Sequence, residues 1–301
     1  MITVSASLIP MPTPLPELPI RRLTVDDLPS CVDLAENRGW QREEHRWGLL
    51  LAAGTGYGID DPVDKGLAAA CVVTSYGPRL AAVGMVLVAE QYARQGIGRR
   101  LMRHVLAEAG DTPVTLHATP LGRPLYEQLG FSATGRAEMV CGHFRANGAD
   151  GRDSGKGGAV TTRPATAEDL PAIIRLDNEV FGVDRTHLIT RLPAFADQIR
   201  VAEQGGLLTG YAAAWPNRET HVVGPLVAET TETAKALVSS VAAATDRPLR
   251  TDVDVRHTEF LDWLKAHGLE SVTFNTVMNH AQDDLPGDWT RRFAPLSIAM
   301  G

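Results

Sequence analysis

The sequence predicts two α/β domains in tandem, and three observations predict it. The chain repeats itself at an offset that stays near 140 residues. A Gly-, Asp- and Ser-rich stretch separates the copies. Each copy reads in the same coarse order: helix, helix, strands, helix, strand, helix, strand. At 301 residues the chain is long enough for two domains that each bury a core.

The first copy opens RRLTVDDLPSCVDLAEN from Arg21, the second RPATAEDLPAIIRLDNE from Arg163. Thr24 with Asp27, and Thr166 with Asp169, have capping-box spacing, and each is followed by Leu-Pro and an apolar helical stripe. Ala82-Val83-Gly84 corresponds to Val222-Val223-Gly224. The run ending Gly130-Phe131 corresponds to the run ending Gly268-Leu269. Within the first copy, residues 67–76 and 81–88 read as strands paired through Gly77-Pro78, and 96–108 reads as a helix. Residues 114–118 read as a short strand, and 123–129 as a short helix ended by Gly130. Gly54-Thr-Gly-Tyr-Gly58 reads as a turn-rich connection, since no strand precedes it and no helix clearly follows.

The expected divisions are an extended Pro-rich leader over 1–19, a first domain over 20–145, a flexible linker over 146–158 and a second domain over 159–301. The leader lacks the basic start and long apolar core of a secretory signal, and no run reaches the length needed to span a bilayer. Cys31, Cys71 and Cys141 are odd in number and far apart, which predicts neither a disulfide framework nor a metal site and suits a reducing cytoplasm. The net charge of -7 argues against a nucleic-acid binder.

The chemistry is concentrated after the strand at 81–88. There a tight turn leads into a helix at Gly96-Ile97-Gly98. A helix start offers backbone N–H groups without internal partners, and glycine lets a phosphate approach them. Arg94, Arg99 and Arg100 add positive charge in an acidic chain. The residues alone read as a diphosphate cradle. The alternative is a strand–turn–helix whose glycines serve only packing.

This segment, Ala93-Arg94-Gln95-Gly96-Ile97-Gly98, resembles the R/Q-x-x-G-x-G/A motif of the GNAT superfamily of N-acetyltransferases, with Ala93 where the family prefers Arg or Gln. A second stretch, from His117-Ala-Thr119 through Gly122-Arg123-Pro-Leu125-Tyr126 to Gly130-Phe131, resembles the family's N-x-x-A-x-x-L-Y-x-x-x-G-F region. Thr119 stands where the family often has Asn, and Gly122 where it often has Ala. The resemblance covers residues 20–145 well and implies a twisted mixed sheet flanked by helices in each of two GNAT-like domains.

It further implies acetyl-CoA as cosubstrate and an EC 2.3.1-type transfer to an amine by direct attack. Val86, Leu87 and Val88 would pair with the pantetheine. Arg94, Gln95, Gly96, Ile97, Gly98, Arg99 and Arg100 would hold the pyrophosphate, with Thr119, Gly122 and Arg123 beside them. Tyr126 would protonate the leaving thiolate; its alternative is a helix-packing aromatic. His117 is the first candidate for general base, with a structural role as the alternative. Glu36, Trp40, Glu43, Trp47, Asp184 and Arg185 are weaker acceptor-side candidates.

The second copy has no G-x-G after its strand. Glu229 and Glu232 stand where phosphate would approach, and Leu264 replaces Tyr126. The expectation is a degenerate second domain that does not bind CoA and shapes the pocket of a small-molecule amine. The rival reading is a CoA-binding sensor without turnover. The oligomeric state is not legible.

Overall fold

The computed structural model describes residues 17–146, 160–282 and 284–301. Most of the expected leader and all but the first residue of the expected linker lie outside these. The first half runs β1 (Arg21–Leu23), α1 (Leu28–Asn37), α2 (Glu44–Ala53), β2 (Thr55–Asp60), β3 (Leu67–Ser75), β4 (Ala81–Val88), α3 (Ile97–Ala109), β5 (Val114–Ala118), α4 (Arg123–Glu127) and β6 (Ser132–Gly142). The second runs β7 (Thr161–Pro164), α5 (Leu170–Phe181), α6 (Thr186–Ile189), α7 (Leu192–Phe195), β8 (Gln198–Gln204), β9 (Leu207–Pro216), β10 (His221–Ala228), α8 (Thr231–Ala242), β11 (Leu249–Asp254), α9 (Thr258–Ala266), β12 (Glu270–His280) and β13 (Arg292–Ala294).

Local chemistry explains the parallel openings. Both capping boxes form, and each is braced by an arginine from the preceding strand. Arg21 donates to both oxygens of Asp27 at 2.7 and 3.1 Å, and Arg163 to both of Asp169 at 2.7 and 2.8 Å. The 54–58 stretch departs from the sequence expectation: it forms most of β2. A Cβ on Gly56 or Gly58 would lie within 2.8 Å of the Leu23 side chain. Those glycines let β1 pack against the strand, and their presence does not mark a turn.

The strands form one mixed sheet in the order β1-β2-β3-β4-β5-β12-β6-β11-β10-β9-β8-β7, with β13 beside β10. The order is interleaved at its centre. β12, from the second half, lies between β5 and β6, pairing Val277 with His117 and Asn275 with Ala137. Among the described residues β6, from the first half, pairs only with β12 and β11. Pairing is antiparallel except at β4–β5 and β10–β11.

One face of the sheet carries a continuous core shared by both halves, including Trp47, Tyr76, Phe181, Phe195, Trp215 and Leu296. The opposite face has two separate cores, one under α3 and α4 and one under α8 and α9. Burial of this apolar area is what joins the halves. No helix among the described residues is long and apolar enough to cross a membrane.

Candidate active site

β4 and β5 pair only over Ala81–Val83, opposite Val114–Leu116, and then part. At the parting Met85 adopts φ 54°, and the β3–β4 register shifts between Ala70 and Val72. This bulge turns β4 away from β5, so Val86, Leu87 and Val88 border a gap with no strand on that side among the described residues. Leu87 is buried in the shared core, while Val86 and Val88 pack on the α3 side.

The gap leads to the start of α3. Gly96 is its N-cap at φ 82°, a conformation that favours glycine, and no side chain caps the helix. A Cβ there would meet nothing within 4 Å. A Cβ on Gly98 would touch Val88 Cγ2 at 3.4 Å and Leu125 Cδ2 at 3.5 Å, so strand end, helix start and α4 converge at this glycine. Ile97 is buried beneath it. The helix start is uncapped and Gly96 and Gly98 bring no Cβ to it, which fits a diphosphate; the β4 edge fits an extended amide chain beyond it.

The surrounding side chains are partly committed. Gln95 donates to the Gln91 carbonyl at 3.2 Å. Arg99 donates to Gln128 and Arg100 to the Leu18 carbonyl, neutral partners that leave the positive charge in place. Arg94 is exposed, whereas Arg123 is paired with Glu127 at 2.7 Å. Thr119 Oγ1 accepts from the Gly122 N–H at 3.2 Å, shaping the turn into α4.

Tyr126 and His117 lie on opposite faces of the sheet. Tyr126 belongs to the α3-side core, edge-on to Phe131 at 5.8 Å, and burial pushes its phenol well above the usual range. His117 points to the shared-core face. Its Nδ1 lies 3.1 Å from the Ile298 carbonyl, which only accepts, so Nδ1 carries the hydrogen and Nε2 the lone pair. Burial lowers its pKa to about 4, opposed by that hydrogen bond, so the ring is neutral near pH 7.

The segment supplying Ile298 went unforeseen in the sequence. Residues 295–301 cross from the second half to the first and are mostly buried. Tyr76 donates to the Met300 carbonyl at 2.5 Å, and a Cβ on Gly84 would lie 2.4 Å from the Ala299 carbonyl oxygen. The apolar run Phe293-Ala-Pro-Leu-Ser-Ile-Ala-Met was the available hint.

The weaker candidates scatter. Glu36 is held by Arg42 at 2.7 Å, Trp47 is core, and Trp40 is half-exposed. Glu43 is buried and pairs with Arg46 and, at 3.6 Å, with Arg250 of the second half. Asp184 accepts from the Thr186 N–H, whereas Arg185 pairs with Asp177 at 3.1 Å and reaches over the Tyr76 ring.

The corresponding place in the second half is built differently. β10 and β11 also part, after Val222–Arg250, but β13 pairs with β10 there, Leu226 opposite Ala294 and Val227 opposite Arg292. Thr230 Oγ1 caps α8 by accepting from the Thr233 N–H at 3.1 Å. Glu232 is paired with Lys235, and Glu229 lies 3.8 Å from Arg291. Leu264 is fully buried.

Two families described as acetyltransferase (GNAT) domain match the chain, one over residues 69–145 and the other over 173–294. The chain belongs to the GNAT acetyltransferases, with two GNAT domains in tandem. GNAT enzymes, of class EC 2.3.1, draw on acyl-CoA and acetylate amines. The uncharacterized N-acetyltransferase YitH of Bacillus subtilis (strain 168) is 26% identical over 278 residues, covering 91% of this chain and 92% of the relative. A putative acetyltransferase structure from Pyrococcus horikoshii superposes with a TM-score of 0.74 at 18% identity, covering 98% of this chain and 99% of that one. A tandem GNAT protein from the clavulanic acid biosynthesis pathway gives 0.63 at 15% identity, covering 87% and 98%. These last two likenesses bear on the fold, a GNAT tandem along nearly the whole length.

Proposed function

We propose that the first half transfers an acetyl group from acetyl-CoA to a small-molecule amine, and that the second half binds no CoA. The observation that carries this reading is the unpaired β4 edge running into the uncapped start of α3. Backbone amides at Gly96, Ile97 and Gly98 hold the pyrophosphate, aided by the charge of Arg94, Arg99 and Arg100. Val86 to Val88 receive the pantetheine amides. Bound there, acetyl-CoA supplies the activated acyl group.

The residues divide the proton work across the sheet. Tyr126 keeps its proton at neutral pH because burial disfavours the phenolate, and gives it to the departing thiolate. His117 presents an unprotonated Nε2 on the other face and takes the proton from the amine. The second half supports the assignment by contrast: its own β13 occupies the strand position that pantetheine takes in the first half. A small acceptor is favoured because residues 295–301 and the second half enclose the face around His117.

Calorimetry with acetyl-CoA tests the reading. One site is expected, weakened at least about tenfold by Gly96→Val, since a β-branched residue resists that φ and obstructs the amides. Two sites, or a single site indifferent to Gly96→Val, would overturn it. Thiol release against an amine panel separates turnover from a sensor that only binds.

A further inference from the structure

Residues 295–301 form a strap on the shared-core face, and two glycines that correspond in the repeat clear its path. A Cβ on Gly224, in β10, would collide with the Pro295 carbonyl oxygen, and one on Gly84, in β4, with the backbone of Ala299. The strap therefore starts against the second half and ends against the first.

Two buried side chains anchor it, one from each half. Trp215, in β9, donates from Nε1 to the Leu296 carbonyl at 3.2 Å. The Tyr76 hydroxyl, at the end of β3, donates to the Met300 carbonyl at 2.5 Å. Both rings are packed: Trp215 lies 5.2 Å from Phe195 between ring centroids, and the Arg185 guanidinium sits 5.8 Å from the Tyr76 ring. Ile298 is midway, two residues from each anchored carbonyl, and its own carbonyl is the one that faces His117 Nδ1 at 3.1 Å. The strap belongs to no helix or strand, so the position of that carbonyl depends on the anchors. A neutral imidazole can carry its hydrogen on either nitrogen, and the partner of one nitrogen decides which. A carbonyl only accepts, so while this one stays in place the hydrogen is on Nδ1 and the lone pair on Nε2.

We propose that Tyr76 and Trp215 are positioning residues for the transfer: they pin the strap on either side of Ile298, hold its carbonyl against His117 and keep the Nε2 lone pair available for the proton of the amine. This rests on the reading of His117 as the base. It gives the second half, through Trp215, a part in the chemistry of the first.

Nitrogen-15 NMR of the His117 ring in the full chain at neutral pH reads the tautomer directly. The unmodified chain is expected to show a protonated Nδ1 and a bare Nε2. Tyr76→Phe and Trp215→Phe each remove one donor and keep an aromatic ring. In both, the two nitrogen signals should move toward each other as the hydrogen is shared, and kcat should fall about tenfold or more with KM for acetyl-CoA unchanged. Thr230→Ala, which loosens α8 on the opposite face of the sheet, controls for lost stability and should leave both readouts in place. A hydrogen on Nε2 in the unmodified chain, spectra unmoved in both anchor variants, spectra that move without a fall in kcat, or an equal fall in Thr230→Ala overturns the proposal. The spectra need no turnover, so the two readings fail separately. Undiminished thiol release by His117→Gln sinks His117 as the base and this proposal with it, whereas unmoved spectra sink this proposal alone.

Discussion

Tyr126 and His117 are each held in one protonation state by burial, and the consequences are measurable residue by residue. Tyr126→Phe removes the proton and keeps the ring, so kcat should fall about a hundredfold or more while acetyl-CoA affinity holds. Steady-state kinetics with calorimetry on the same variant checks this. For His117 the sign follows from its lowered pKa. The unfolded chain takes up this proton near pH 6.5, the folded one only near 4. Stability from this group is whole above 6.5 and drains away as pH falls toward 4. Urea melts across that window should show the loss, and His117→Gln should flatten it. The turn at Gly96 and the helix that follows it were readable from motif spacing. The partner of His117 was not, because a hydrogen bond to a carbonyl 181 residues away has no local trace.

Elements, more than single side chains, distinguish the two copies. In the first, β4 is bulged at Met85 and its outer edge is left unpaired; in the second, β13 covers the matching edge and Thr230 caps the helix. Thr230→Ala should therefore cost about 1 kcal/mol of stability by loss of the cap and leave acetyl-CoA binding untouched. Gly84→Val should cost about 1–3 kcal/mol, because the added carbons meet the backbone of Ala299. Chemical denaturation reads both. Several elements were legible in advance: 81–88 and 114–118 match β4 and β5 residue for residue, since apolar runs bounded by turn residues mark strands well. β2 was hidden because its glycines answer to the Leu23 side chain, and β13 because three residues carry no periodicity.

At the scale of the molecule the duplication was plain from the repeated openings, but the sharing of strands was not. Pattern tells which segments are strands; it does not tell whose edge they complete. β5 and β6 both depend on β12, so residues 1–146 made alone should expose open edges and aggregate, whereas the full chain should unfold in one transition. Size-exclusion chromatography and circular dichroism of the fragment and the full chain check this, and a monomeric, cooperatively melting fragment would count against it. The interleaving also sets an order of events during synthesis. When the ribosome has delivered β6, neither of that strand's neighbours has yet been translated, and the first of them, β11, is more than a hundred codons away. The nascent first half therefore waits, unfinished, until the second is nearly complete, and the enzyme matures as a single event at the close of translation.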